Sequence, residues 1–248
     1  MTIGYDTMTK QKSTYAIKFD HVSKEYTIHH EKPTLIEKFF KGKDEKFFAL
    51  KDVDLTVLKG ESIGIMGDNG SGKTTLLKIV AGITAQTTGR VQIVGRVVSL
   101  IDLNAGFHDD LSGLQNIYLN GMLIGMSKRE IDAKLKPIIS FAGIRQFIDA
   151  PLFTYSEGMK LRLGFSIAVH TNPDILLLDE NFSVGDEKFR LKSLNVLKKF
   201  KRQGKTILIV SHWKEFIHNN CKKIFTLNKG RLIKITQSRP SSAWPHKI

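Results

Sequence analysis

One cysteine, Cys221, stands in a chain of 248 residues. That excludes an internal disulfide framework and fits a reducing compartment. Long apolar runs are also missing: stretches such as residues 175–178 fall far short of the roughly 20 residues that a membrane-spanning helix needs. Residues 1–19 lack the continuous apolar centre of a secretory leader. Together these absences lead to the expectation of a cytoplasmic chain. Acidic residues are scarce beside basic ones, 24 Asp and Glu against 38 Lys and Arg, for a net charge of +14. Such a surplus favours an anionic partner, whether nucleic acid, an acidic membrane surface or a phosphorylated ligand. The charge is spread over residues 41–46, 128–136, 198–205 and the tail, so solvated helix faces account for most of it and charge alone selects no function.

At 41% hydrophobic and 25% charged, the composition is that of an ordinary globular protein with a sizeable core. There is no internal repeat and no low-complexity linker. Short apolar runs at 63–66, 175–178, 206–210, 224–227 and 232–235 read as strands, while 73–81 and 186–202 carry helical spacing. This alternation predicts an α/β fold with a largely parallel sheet. Residues 111–171 are mostly helical: Ser127 and Glu130 have capping-box spacing, and Pro137 is expected to kink or end the helix they open. The stretch reads as a helical lobe inserted in the α/β core.

The strongest local signal is Gly67-Asp68-Asn69-Gly70-Ser71-Gly72-Lys73-Thr74, between a strand and a helix. It fits the phosphate-binding pattern G-x-x-x-x-G-K-[ST]. Glycines let the backbone curl its N–H groups onto an anion, and the following helix adds its positive end. Lys73 can reach the β- and γ-phosphates, and the Thr74 hydroxyl can ligate Mg2+. Residues 175–178 form an apolar strand that ends in Asp179-Glu180. In a parallel sheet that end faces the ligand crevice, where Asp179 can serve a metal and Glu180 the attacking water. Val210-Ser211-His212 ends the next apolar strand and offers an imidazole to the same crevice. A solvent-exposed acidic strand end and a packed histidine are the bland alternatives.

Between these motifs lies Tyr155-Ser156-Glu157-Gly158-Met159-Lys160, opening a helix. It resembles the signature LSGGQ of the ABC transporter ATPases, with Ser156 and Gly158 matching. The resemblance covers nearly the whole chain. Tyr26, after His21-Val22-Ser23-Lys24-Glu25, is similar to the family's adenine-stacking aromatic. Leu50-Lys51-Asp52-Val53 and Lys59-Gly60-Glu61 match the lead-in to the phosphate loop. Ser183-Val184-Gly185-Asp186 falls at the D-loop, His212 at the switch histidine, and Cys221-Lys222-Lys223-Ile224 and Lys229-Gly230-Arg231-Leu232 at the closing strands.

The resemblance implies a P-loop NTPase of ABC ATPase fold: a RecA-like core, an antiparallel β lobe and an inserted helical subdomain at about 101–171. The nucleotide-binding domain would occupy 1–240 and a short tail 241–248. It further implies a dimer of two copies that sandwiches ATP and Mg2+. Tyr26 would stack on adenine, and Gly67, Asp68, Asn69, Gly70, Ser71, Gly72, Lys73, Thr74 and Thr75 would wrap the phosphates. Thr74 and Asp179 would hold the metal. Ser156, Glu157, Gly158 and Met159 would close over the other copy's nucleotide, with Lys73, Glu180 and His212 as the catalytic set. An integral-membrane permease is the implied partner, at the cytoplasmic face of the bacterial inner membrane, and no nucleic acid is expected.

Two departures narrow the resemblance. The signature carries Glu157 and Met159 where Gly and Gln are usual. The Q-loop position near Leu103 has no Gln, and whether Asp102 or Asn104 substitutes for it is left open. Both departures, with Ala105-Gly106-Phe107-His108, Leu111-Ser112-Gly113 and residues 116–121, are similar to the branch that exports bacterial surface polysaccharides of the O-antigen and teichoic acid type. That branch carries an amphipathic gate helix where this chain has residues 33–41, with Leu35, Ile36, Phe39 and Phe40 on one face. A helix docked on its own domain is the plain alternative. After Arg231 only a short basic tail follows, so a C-terminal glycan-binding domain of the kind some O-antigen exporters carry is not expected in this sequence. Transport of lipid or drug, a soluble ABC ATPase outside transport, and a regulatory subunit with a dead ATP site remain the competing readings.

Overall fold

A computed structural model describes residues 14–28, 45–101, 103–179 and 186–237. Glu180, the D-loop residues 183–185, Asp102, the amphipathic stretch 33–41 and the tail lie outside these residues.

Two sheets organise the chain. Three antiparallel strands, β1 (Tyr15–Ile28), β2 (Glu45–Leu58) and β4 (Thr88–Ile93), pair in the order β2-β1-β4. Residues along β2 from Asp52 to Leu58 alternate between buried and exposed or half-exposed, the pattern of a sheet with one face on a core. The second sheet runs β5-β6-β7-β3-β8-β9. It comprises β3 (Ser62–Met66), β5 (Val97–Ser99), β6 (Ile175–Leu178), β7 (Thr206–Val210), β8 (Lys223–Asn228) and β9 (Arg231–Gln237). All neighbours in it are parallel except β8 and β9. Strands β6 and β7 are buried at every position, as central parallel strands covered on both faces must be.

Helix α1 (Lys73–Val80) packs Leu76, Leu77, Ile79 and Val80 between the two sheets. The other face of the large sheet is covered by α4 (Glu157–His170), α5 (Glu187–Arg202) and α6 (Lys214–Asn220), through Phe165, Phe189, Leu197, Phe200 and Ile217. A third cluster joins α2 (Gly113–Leu123), α3 (Lys128–Ala142) and α4 around Ile117, Ile131, Ile138, Tyr155, Leu163 and Ile167. The Ser127–Glu130 capping box forms as expected, and a second one, Ser112–Gln115, opens α2.

Pro137 does not end its helix: α3 runs through it and closes on Gly143 at φ 68°. Ile131 lies before the proline, and Ile138 and Ala142 after it, all fully or nearly fully buried in one cluster. Burying an isoleucine stabilises by about 1.5–3 kcal/mol, so these contacts together offset the roughly 3 kcal/mol that an interior proline costs.

Candidate functional site

The parallel order places the carboxyl ends of β3, β7 and β6 side by side, with β7 in the middle. Register pairs Ile65 with Val210 and Leu178 with Ile209, so the three ends are nearly flush. The phosphate loop leaves β3, His212 follows β7 and Asp179 follows β6. At the usual strand spacing, Asp179 and the start of the loop lie about 10 Å apart across that edge. Asp179 is half-buried and His212 exposed.

The loop is shaped by backbone contacts from distant parts of the chain. Gly72 caps α1 at φ 108°, and a Cβ there would lie 2.2 Å from the Ala49 carbonyl oxygen. A Cβ on Gly67 would lie 2.3 Å from the Leu227 oxygen. The Gly230 N–H donates to the Ser71 carbonyl at 3.0 Å, and Lys51 N–H to the Gly230 carbonyl at 2.8 Å. Thus the β8–β9 turn and β2 hold the loop from both sides. A bulge makes the β2 contact: register steps from Lys24–Leu50 to Glu25–Phe48, and the extra residue, Ala49, turns its carbonyl to Gly72.

Three observations test whether the loop fits a polyphosphate. Helix α1 has no side-chain cap and no acidic residue in its first turn, so its N-terminal N–H groups and positive dipole end carry no competing anion. The Ser71 hydroxyl oxygen is buried with no hydrogen-bond partner. Lys73 is 9% exposed and curls over the loop, its Nζ donating to the Gly67 and Asp68 carbonyls at 2.7 Å each. The ammonium is therefore already at the mouth of the cradle. Asp68, Asn69, Gly70 and Thr74 line the exposed side, and Thr75 is half-buried. A Thr hydroxyl and a carboxylate are hard oxygen donors of the kind Mg2+ takes, so Thr74 and Asp179 suit that ion.

Tyr26 sits on β1 opposite Phe47, just beyond the Ala49 bulge, so the strand pair delivers it to the same end of the loop. Its ring stacks on Phe47 at 5.6 Å and carries the Lys24 ammonium 4.9 Å from its centroid. Neither neighbour follows from the local motif. Their alternate positions on two strands that flank a phosphate loop were the available signal.

Ser156 caps α4, its hydroxyl accepting from Met159 N–H at 3.2 Å. Glu157 is exposed, and Gly158 and Met159 are half-buried. Tyr155, by contrast, is a buried anchor: its hydroxyl donates to the Phe147 carbonyl at 2.6 Å, and burial raises its pKa above the usual phenol value. Among the described residues, no hydrogen bond or ion pair joins residues 156–159 to residues 67–75. The α1 and α4 N-termini are thus separate among the described residues, and the α4 end, unlike that of α1, carries a side-chain cap and a first-turn acid, Glu157. The loop that leads into α2 is clamped onto that helix. The Asn116 side chain, fully buried, accepts from His108 N–H at 2.8 Å and donates to the His108, Leu111 and Ser112 carbonyls at 3.0 Å.

A family model described as ABC transporter matches residues 50–183. The chain is 39% identical over 226 residues to the O-antigen export system ATP-binding protein RfbB of Klebsiella pneumoniae, covering 87% of this chain and 91% of that one. It is 43% identical over 226 residues to the teichoic acids export ATP-binding protein TagH of Levilactobacillus brevis, covering 90% of this chain and 62% of that one. Of several other curated relatives it spans less than two thirds, down to 38% of their length. A dimeric ATP-binding cassette solved after hydrolysis with ADP and Pi bound superposes with a TM-score of 0.71 at 24% identity, over 91% of this chain and all of that one. That likeness shows the fold.

Proposed function

The chain belongs to the ABC transporter family, and we propose that it binds and hydrolyses ATP to power export of a bacterial surface polysaccharide through a separate permease. The observation that carries the reading is the shared edge of Lys73, Asp179 and His212, together with a second helix N-terminus at Ser156 that, among the described residues, no hydrogen bond or ion pair joins to the first. In a pair of copies, that helix end would meet the nucleotide held by the other copy. The export systems named for its relatives, O-antigen and teichoic acid, support the cargo class.

In this reading Tyr26, on the Phe47 ring, takes the adenine. Residues 67–75 bind the phosphates and Lys73 moves from its carbonyl partners onto the β- and γ-oxygens. Thr74 and Asp179 would hold Mg2+, which would supply positive charge against the phosphates. Glu180 polarises the attacking water and His212 orients the transferring phosphoryl group. Ser156, Glu157, Gly158 and Met159 close the site on the partner copy. Among the described residues no helix is long and apolar enough to cross a membrane. In this reading a permease partner supplies the bilayer path, and the chain docks at its cytoplasmic face.

The experiment is a membrane pull-down with tagged Glu180→Gln protein and ATP, read by mass spectrometry. Recovery of a multi-span permease, with undecorated wild type giving less, is expected. Ribosomal or DNA-bound partners without a permease would overturn the transport assignment and keep the ATPase.

A further inference from the structure

Asn104 borders the position that lacks the usual Gln, Glu157 stands where the signature usually has Gly, and the two touch each other. Asn104 Nδ2 donates to Glu157 Oε2 at 3.3 Å. On the other side of the carboxylate, Lys160 Nζ lies 3.9 Å from Glu157 Oε1, itself anchored to Asp109 Oδ1 at 2.8 Å.

Glu157 is the first residue of α4, where a carboxylate is drawn to the positive helix end. This is the end at which Ser156 and Gly158 would receive phosphate. A carboxylate lying across it would repel that phosphate and occupy its N–H donors. The Glu157 side chain is 75% exposed, so packing alone does not keep it aside. Asn104 is placed to do so. Its neighbour Leu103 is buried, with its carbonyl where a Cβ on Gly164 would come within 2.2 Å. On the other side, Asn120 Nδ2 donates to the Ala105 carbonyl at 2.9 Å. The amide is thus delivered from a fixed loop, and its buried Oδ1 has no hydrogen-bond partner among the described residues: it is oriented for Glu157 at the expense of its own acceptor.

We propose that Asn104 is a positioning residue that holds the Glu157 carboxylate off the α4 N-terminus and so sets how strongly that end accepts a nucleotide's phosphates. The inference rests on the reading of that end as the site for the partner copy's ATP. It makes the two residues a compensating pair: an acid introduced at the anion site, and an amide that restrains it.

Steady-state ATP turnover tests this in the wild type, Asn104→Ala, Glu157→Gln and the double variant, with Ser156→Arg as a control on the site itself. Asn104→Ala is expected to raise KM for ATP about three- to fivefold, with kcat within about twofold and an unchanged melting temperature. Glu157→Gln in the same chain is expected to return KM to the wild-type value or below. An unchanged KM in Asn104→Ala, or a raised KM that persists in the double variant, overturns the proposal. So does a fall in melting temperature that Glu157→Gln leaves in place, since that is the mark of a structural role. If Ser156→Arg leaves turnover intact, the two-copy reading itself fails; if it abolishes turnover while Asn104→Ala is silent, only the positioning role does.

Discussion

Gly70 and Gly72 lie two residues apart in the same loop, both with positive φ, and the structure separates what an added methyl would do at each. At Gly70, φ is 78° and a Cβ would find nothing within 4 Å. Gly70→Ala therefore carries only the left-handed backbone penalty, about 1–2 kcal/mol. At Gly72, φ is 108°, and the Cβ would meet the Ala49 oxygen at 2.2 Å and Leu50 Cδ2 at 3.1 Å. The Ala49 carbonyl belongs to a bulge of β2, so the loop or the strand must move by about 1 Å, an overpacking cost of roughly 1–3 kcal/mol on top of the backbone term. The expected totals are about 1–2 kcal/mol for Gly70→Ala and about 2–5 kcal/mol for Gly72→Ala. For a chain of this size that difference is several degrees in melting temperature. Urea unfolding of both variants, with fluorescent-nucleotide titration alongside, measures it. Gly72→Ala should also lose nucleotide affinity, because the peptide it displaces opens α1. Equal stability losses in the two variants would refute the view that the Ala49 bulge shapes the loop.

Asn116→Ala removes a fully buried side chain whose oxygen accepts from His108 N–H and whose two N–H groups are shared among the His108, Leu111 and Ser112 carbonyls, and should cost about 3 kcal/mol in urea unfolding; a loss under about 1 kcal/mol would deny it the role of clamp. Burial depresses the His170 pKa below 6.5, with the Lys134 and Lys199 charges adding to it and the hydrogen bond to the Ser166 carbonyl opposing it. The unfolded chain then binds the proton that the folded one refuses, so stability is lost as pH falls through 6.5. Wild type should gain on His170→Gln as pH rises through that range, and parallel profiles would contradict the burial effect. Cys221 is 1% exposed, and burial pushes its thiol up to about 12. Iodoacetamide at pH 8 should label it only after unfolding, and rapid labelling of the native chain would show the α6 packing to be wrong.

Much of the site was legible because its chemistry is local. The loop 67–74, the runs 175–178 and 206–210, and the residues that end them each declare themselves within a few positions, and the parallel sheet brings their ends to one edge. Long-range backbone contacts were not legible. Nothing near Gly72 in sequence announces Ala49, and nothing near Ser71 announces Gly230. Phe47 beneath Tyr26 required the register of two strands separated by residues outside the description. Pro137 was expected to interrupt its helix because propensity is a local quantity, whereas the buried contacts that carry α3 past it come from α2 and α4. The Asn104–Glu157 contact spans 53 positions; alone, Glu157 read as a departure from a pattern and Asn104 as one of two candidates to replace a missing Gln.

The central claim is that two copies of this chain close on ATP. Sedimentation velocity of Glu180→Gln protein with Mg2+, with and without ATP, tests it most directly. The account predicts a monomer without nucleotide and a dimer with ATP that Ser156→Arg prevents. A monomer at saturating ATP, with nucleotide binding demonstrated in the same sample, would contradict it.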